Sequence, residues 1–389
     1  MKFTKDGGTL TLFLQGRIDS SSAAQRTSEA EAVIAENAPE NVILDAEELE
    51  DISSAGLRMV LKLRKAFPEL KIMNVSSEIY EILDMTGFTE MIAVEKAYRR
   101  LSVDGCEVIG QGANGMVYRL DPDTIIKVYR NPDSLPDIQR ERELARKAFV
   151  LGVPTAIPYD VVKVGDGYGS VFELLNAKSF AGLMNEAPEK LEDYIGMSVE
   201  LLKKIHGTVV KPEDMPDEKK VVQSWVSDLE GKIPDDQYAR LKALVDAVPE
   251  DHHMMHGDYH IKNVMLQNGE VLLIDMDTLC QGYPVFEFAS IYLAYVGFSE
   301  IDPENIRRFL GIPLETGKKI WERTLALYFG TEDPAILGAA ADKARVVGYT
   351  RLLRRTMRRT PDTEEGRAII ANCRKQLAEL LDRVDSLLF

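Results

Sequence analysis

Eight residues, His256-Gly257-Asp258-Tyr259-His260-Ile261-Lys262-Asn263, constrain this chain more than any other segment. They set an Asp and an Asn five apart, and Asp275 follows at the end of the run Glu270-Val271-Leu272-Leu273-Ile274. That run reads as a strand delivering Asp275 to a loop. Phosphoryl transfer needs such a set. One carboxylate orients an attacking hydroxyl and accepts its proton, while an amide oxygen and a second carboxylate hold Mg²⁺ against nucleotide phosphates. By this reading Asp258 is the catalytic carboxylate, with Asn263 and Asp275 as metal ligands. Taken alone, the segment also suits an ordinary acidic loop.

Upstream, Ile109-Gly110-Gln111-Gly112-Ala113-Asn114-Gly115-Met116-Val117-Tyr118 fits G-x-G-x-x-G-x-V. Gly110, Gly112 and Gly115 would let a strand-turn-strand backbone approach a triphosphate, and Val117 would pack on the base. A hairpin turn or a dinucleotide fingerprint looks similar. The dinucleotide fold, however, needs a helix next, and here a strand (Met116 to Leu120) and a turn at Asp121-Pro122-Asp123 follow. The strand Thr124-Ile125-Ile126-Lys127-Val128-Tyr129 offers Lys127 to the α- and β-phosphates, or is simply an alternating strand with one outward lysine. Such a lysine pairs with a glutamate on the next helix. Over about 136–151, Glu141 falls on the face of Ile138, Leu144, Ala145 and Ala148, and Glu143 falls with Arg146 and Lys147 on the wet face. Glu141 is the expected partner and Glu143 the alternative. Val171 to Leu175 reads as an edge strand and hinge, with backbone groups from Glu173 to Leu175 for adenine.

The H-G-D-x-x-x-x-N form, with the glycine loop, lysine and glutamate in the same order, resembles the aminoglycoside phosphotransferase and choline kinase family, which has the protein-kinase fold. The resemblance covers residues 103–389. It implies an α+β bilobal domain, with an N-lobe at 99–175 and a mostly helical C-lobe at 176–389, using ATP and Mg²⁺. There is no D-F-G, no A-P-E and no recognisable activation loop. After Asp275 the chain resembles the small-molecule kinases' I-D-x-x-x…G-D-P-x-x-D-L-A, with Tyr283 replacing one Asp and Glu287 the other. Asp277 either adds a carboxylate to the metal site or caps the next turn. His256 is expected to support the loop, and His260 either faces substrate or is structural.

Residues 1–98 form a different, α/β domain. Thr9 to Leu14 and Asn41 to Asp45 read as strands, the latter short, and Leu70 to Val75 as another; helices are expected at 54–67 and 77–85, with Ser20 to Ser22 as cap candidates for an earlier one. The stretches Val42-Ile43-Leu44-Asp45, Leu49 to Leu61 and Leu83-Asp84-Met85-Thr86-Gly87-Phe88 resemble STAS domains, the anti-sigma-factor antagonists. In that family a serine at the start of the second helix is phosphorylated, which implies Ser54, with Ser53 at a position where the family has Asp. A helix N-terminus can hold a phosphate. The simpler role for Ser53 or Ser54 is an N-cap.

The formal net charge of −16, spread over both halves, disfavours nucleic-acid binding. It is compatible with a cationic substrate such as an amino sugar. One exception is the helix bearing Arg345, Arg351, Arg354, Arg355, Arg358 and Arg359, which is either a solvated face or a docking site for a phosphate or acidic partner. Cys106, Cys280 and Cys373 fit no disulfide or metal spacing, no apolar run approaches a membrane span and no signal peptide is apparent, so a cytoplasmic location is expected. The leading expectation is an ATP- and Mg-dependent kinase for a small hydroxyl compound, with the STAS domain regulating or recruiting it. The alternatives are a kinase for a protein serine (Ser54 or an anti-sigma component) and a nucleotide-sensing scaffold.

Overall fold

The structure is a computed structural model that describes residues 1–111 and 115–389; Gly112 of the glycine loop lies outside the described residues. Two compact units are present, Met1–Ser102 and Val103–Phe389. In the first, β1 (Phe3–Asp6) and β2 (Thr9–Ile18) form an antiparallel hairpin. The helix α1 (Ala23–Asn37) leads to β3 (Asn41–Ile52), α2 (Ser54–Ala66) to β4 (Lys71–Val75), and α3 (Ser77–Met85) with the short α4 (Phe88–Met91) to β5 (Ala93–Lys96). The sheet order is β1-β2-β3-β4-β5, parallel from β2 onward. Parallel neighbours require such helical crossovers. Leu10, Leu12 and Leu14 alternate into the core with Val42 and Leu44.

The strand expected to stop at Asp45 runs on to Ile52. Its acidic second half has poor intrinsic strand propensity, but β2 pairs along its whole length through two register shifts. Arg17 meets Asp51 across the pair at 2.8 Å, and Gln15 bonds Glu48. Pairing therefore overrides propensity here. Gly56 lets α2 sit against these strands, since a Cβ there would lie 2.8 Å from the Ile18 carbonyl oxygen.

The second unit begins with an antiparallel sheet of β6 (Val108–Gln111), β7 (Gly115–Arg119), β8 (Thr124–Tyr129), β9 (Pro158–Val164) and β10 (Gly167–Glu173), with α5 (Leu135–Val150) between β8 and β9. The order is β6-β7-β8-β10-β9, so β10, expected at the edge, is interior. The edge position falls to β9, which starts with Pro158, a residue that edge strands tolerate. The remainder is mostly helical: β11 (Lys178–Ser179), α6 (Phe180–Glu186), α7 (Leu191–His206), α8 (Glu218–Ser227) and α9 (Asp235–Asp246) precede the short strands β12 (Met254–Met255), β13 (Val264–Gln267), β14 (Glu270–Leu273) and β15 (Cys280–Gln281). They are followed by α10 (Val285–Tyr295), α11 (Asn305–Leu310), α12 (Leu314–Phe329), α13 (Pro334–Arg359) and α14 (Glu364–Leu381). Every residue of α10 is buried, as a helix apolar nearly all round must be. Among the described residues, no helix is long and apolar enough to cross a membrane.

Candidate active site

The loop 256–263 leaves β12, which pairs with β15, and enters β13. Gly257 has φ +80°, and a Cβ there would lie 2.5 Å from the Thr278 carbonyl oxygen, so only glycine fits. The buried Glu287 on α10 receives the His256 N–H at 2.5 Å and the Gly257 N–H at 3.0 Å. One turn on, Ser290 donates to the Gly257 carbonyl at 2.8 Å, and Thr278 donates to the His256 carbonyl at 2.8 Å. Burial works to raise the Glu287 carboxyl, but His206, His256 and these N–H groups outweigh it and hold it below the usual carboxylate range. Thus a buried anion, satisfied by backbone donors, sets the loop.

His256 is fully buried and joins the loop to the other acidic segment. Its Nε2 lies 3.1 Å from the Ile274 carbonyl, while Nδ1 accepts the Asp258 N–H at 3.3 Å. That pairing assigns the proton to Nε2. Asn263 donates its amide N–H to the Asp258 carbonyl at 3.1 Å, which leaves its oxygen as the group able to meet a cation. His260 Nε2 is 3.5 Å from Asp258 Oδ2, and its ring meets Phe309 edge-on at 5.0 Å. Burial pushes the Asp258 carboxyl up, but the His260 hydrogen bond and the nearby Arg351 guanidinium more than offset it. Asp258 therefore sits below the usual range, ionised at neutral pH.

The N-lobe meets the segment after β14 through Lys127. Its ammonium lies 2.9 and 3.1 Å from the two oxygens of Glu141 and 3.0 Å from Asp275 Oδ1. Burial opposes the charge on Lys127, but both carboxylates outweigh it and raise its proton affinity. Tyr129, not singled out in the sequence, also bonds Glu141. Glu143 instead pairs with Arg146 at 2.9 Å on the surface, so the 3.6-residue period distinguished the two glutamates. Asp275 adopts φ 65°, a left-handed conformation that Asp accepts more readily than most residues. Burial and the charge of Asp275 push Asp277 up to about 7.

Asn263, Asp275 and Asp277 offer only hard oxygen donors. Among the described residues no three His, Cys, Asp or Glu side chains form a closed metal cage. This fits Mg²⁺, which takes one or two carboxylates and completes its shell with water and phosphates. The acidic crowding that raises Asp277 is what a divalent cation would relieve.

Gly110 pairs with Val117, and Val117 with Lys127, across the sheet. Gly115 is needed for a different reason from close approach to phosphate: a Cβ there would be 2.1 Å from the Val128 carbonyl oxygen of the neighbouring strand. At the hinge, the N–H groups of Glu173 and Leu174 bond the carbonyls of Ile157 and Asp123, and among the described residues the Leu175 N–H has no such backbone partner. Ser54 is exposed at the first position of α2, and it is Ser53 that caps the helix by accepting the Ala55 N–H at 3.2 Å. One group went unread in the sequence as part of this site: Arg351 of α13, which donates to Ser290 at 2.9 Å and lines the Asp258 cleft.

Residues 105–323 match the family model described as "Phosphotransferase enzyme family", and residues 1–102 match the STAS domain model. The protein BtrV of Bordetella bronchiseptica, described as an anti-sigma factor antagonist, is 35% identical over 100 residues, 24% of this chain and 85% of BtrV. Among solved structures, the streptomycin–ATP complex of APH(2")-IIa has a TM-score of 0.48 at 16% identity, covering 79% of this chain and 99% of that one. A choline/ethanolamine kinase family protein from Mesorhizobium loti has a TM-score of 0.47 at 14% identity, covering 71% and 88%.

Proposed function

Because the chain belongs to the phosphotransferase enzyme family, as an ATP-dependent phosphotransferase with an N-terminal STAS domain, we propose that it transfers the γ-phosphate of ATP to a hydroxyl of a small molecule. Lys127, positioned by Glu141, binds the nucleotide phosphates, and the Leu175 N–H and Val117 serve adenine. Asn263 and Asp275 hold Mg²⁺, which neutralises charge on the phosphates when bound. Asp258 orients the acceptor hydroxyl in line with the γ-phosphorus and accepts its proton. The observation that carries this reading is the meeting of Lys127, Glu141 and Asp275 beside a loop whose Asp258 is ionised and whose Asn263 amide oxygen is left available. ADP release measured with Mg-ATP and a panel of alcohols tests it. Turnover abolished in Asp258→Asn supports it, and inertness of the native chain towards every acceptor and water sinks it.

The STAS domain, in this reading, regulates the kinase or recruits it to a signalling partner of the anti-sigma type. A second reading makes a protein serine the acceptor, and one observation favours it: the Ser54 hydroxyl is exposed and unused by the helix cap. Intact-mass spectrometry after incubation with Mg-ATP decides between them. A phosphate gained by the native chain and lost in both Ser54→Ala and Asp258→Asn would favour the protein acceptor.

A further inference from the structure

The cleft beside Asp258 is walled by cations. Arg351, Arg354, Arg355, Arg358 and Arg359 recur at spacings of three and four along α13, hence on one face, and line with Asp258 a cavity of about 890 Å³. Aromatic rings complete it: the Arg351 guanidinium lies 5.6 Å from the Trp225 ring and that of Arg355 lies 5.2 Å from Phe298. Arg355 and Arg359 also line an adjoining cavity of about 330 Å³.

A solvated helix face is the ordinary account of such a row, and the structure argues against it. Exposed arginines normally find carboxylates three or four residues away, yet the stretch Arg345 to Arg359 contains no Asp or Glu. Asp228 serves two of the five, Arg354 at 2.6 Å and Arg358 at 3.7 Å. Among the described residues, Arg351, Arg355 and Arg359 have no carboxylate within 4 Å. This occurs in a chain with 63 acidic and 47 basic residues, where carboxylates are in surplus. The helix C-terminus favours cations in its last turn, which accounts for Arg358 and Arg359 but not for the others. Burial and the like charges of Arg359 and Arg351 weaken the Arg355 guanidinium's hold on its proton, which the Asp258 carboxylate only partly offsets.

Resting on the phosphotransferase reading above, we infer that the acceptor is a small hydroxyl compound that already carries a phosphate group. Arg355 and Arg359 bind that phosphate through forked, charge-assisted hydrogen bonds, and its free hydroxyl reaches Asp258. In the reaction the hydroxyl oxygen forms a bond to the γ-phosphorus and the bond from that phosphorus to the ADP oxygen breaks. The hydroxyl proton passes to Asp258, ADP departs, and the acceptor's first phosphate is unchanged. A cationic amino sugar, which the overall acidity would admit, is disfavoured by this wall.

The test uses the full chain with Mg-ATP and matched acceptors: glycerol, ribose and glucose against glycerol 3-phosphate, ribose 5-phosphate and glucose 6-phosphate, with glyceric acid and kanamycin as carboxylate and cationic arms. ADP release at least tenfold faster with a phosphorylated member than with its parent is expected. Arg355→Gln and Arg359→Gln should each raise the KM for that acceptor roughly 10- to 100-fold, leaving kcat within about threefold and the KM for ATP unchanged. Preference for the neutral, carboxylate or cationic acceptors overturns the inference. Calorimetric titration of the same sugar phosphates into the protein holding a non-hydrolysable ATP analogue gives an answer independent of turnover. Binding lost in the two arginine variants supports the inference, and no binding, or binding they do not weaken, overturns it. Failure to bind the ATP analogue at all would instead sink the parent reading.

Discussion

Two charged regions of the second unit have opposite character. The Lys127 ammonium is met by Glu141 and Asp275, whereas α13 brings five arginines to the cavity lined by Asp258, two of them, Arg354 and Arg358, paired with Asp228. The acidic centre suits a divalent cation and the basic wall suits an anion, although the chain as a whole carries −16. Net charge therefore says little about a cleft; the local balance of unpaired charges says more.

The two regions should also fail differently. In the acidic centre, Asp258→Asn removes the carboxylate proposed to accept the proton and should lower kcat by roughly 10²- to 10⁴-fold with little change in thermal stability, measured by steady-state kinetics and a melting curve. Glu141→Gln leaves Lys127 poorly held and should cost roughly tenfold or more in kcat/KM. Its neighbour Glu143→Gln, which breaks only a surface pair, should change activity by less than about twofold; a loss matching that of Glu141→Gln would mean that the pairing was misjudged.

Beneath both regions lies Glu287, and it is the test of stability rather than chemistry. Glu287→Ala leaves the His256 and Gly257 N–H groups buried without an acceptor and should cost about 3 kcal/mol in chemical denaturation. Because the folded-state pKa of Glu287 is depressed, its contribution is present above the ordinary value of 4.5 and is lost as pH falls through the lower folded value. Glu287→Gln should accordingly flatten the acid limb of the stability curve. At the basic wall, raising salt from about 0.05 to 0.5 M should increase the acceptor KM severalfold with kcat steady, since Arg355 and Arg359 are exposed enough to be screened.

Much of the acidic centre was legible in the order of residues. Spacing within one loop and one strand carried Asp258, Asn263 and Asp275, and helical period alone separated Glu141 from Glu143. These are short-range relations, and local geometry settles them. The strand that continues through Glu47 to Ile52 was not legible, because its acidic composition is outweighed only by pairing with a strand some thirty residues earlier. Nor was the interior place of β10, which depends on where β9 attaches.

The arginine row shows the division best. Its existence and its single helical face follow from sequence, since a period of 3.6 residues puts positions 351, 355 and 359 together. Whether that face meets bulk water or the space beside Asp258 depends on how α13 packs against α10 and α8, far apart in the chain. The sequence by itself determined the spacing of Asp258, Asn263 and Asp275 and the charge of the row; only the tertiary structure decided that the row lines the cleft, because burial and long-range packing, not local spacing, choose the surface to which a helix turns its charge.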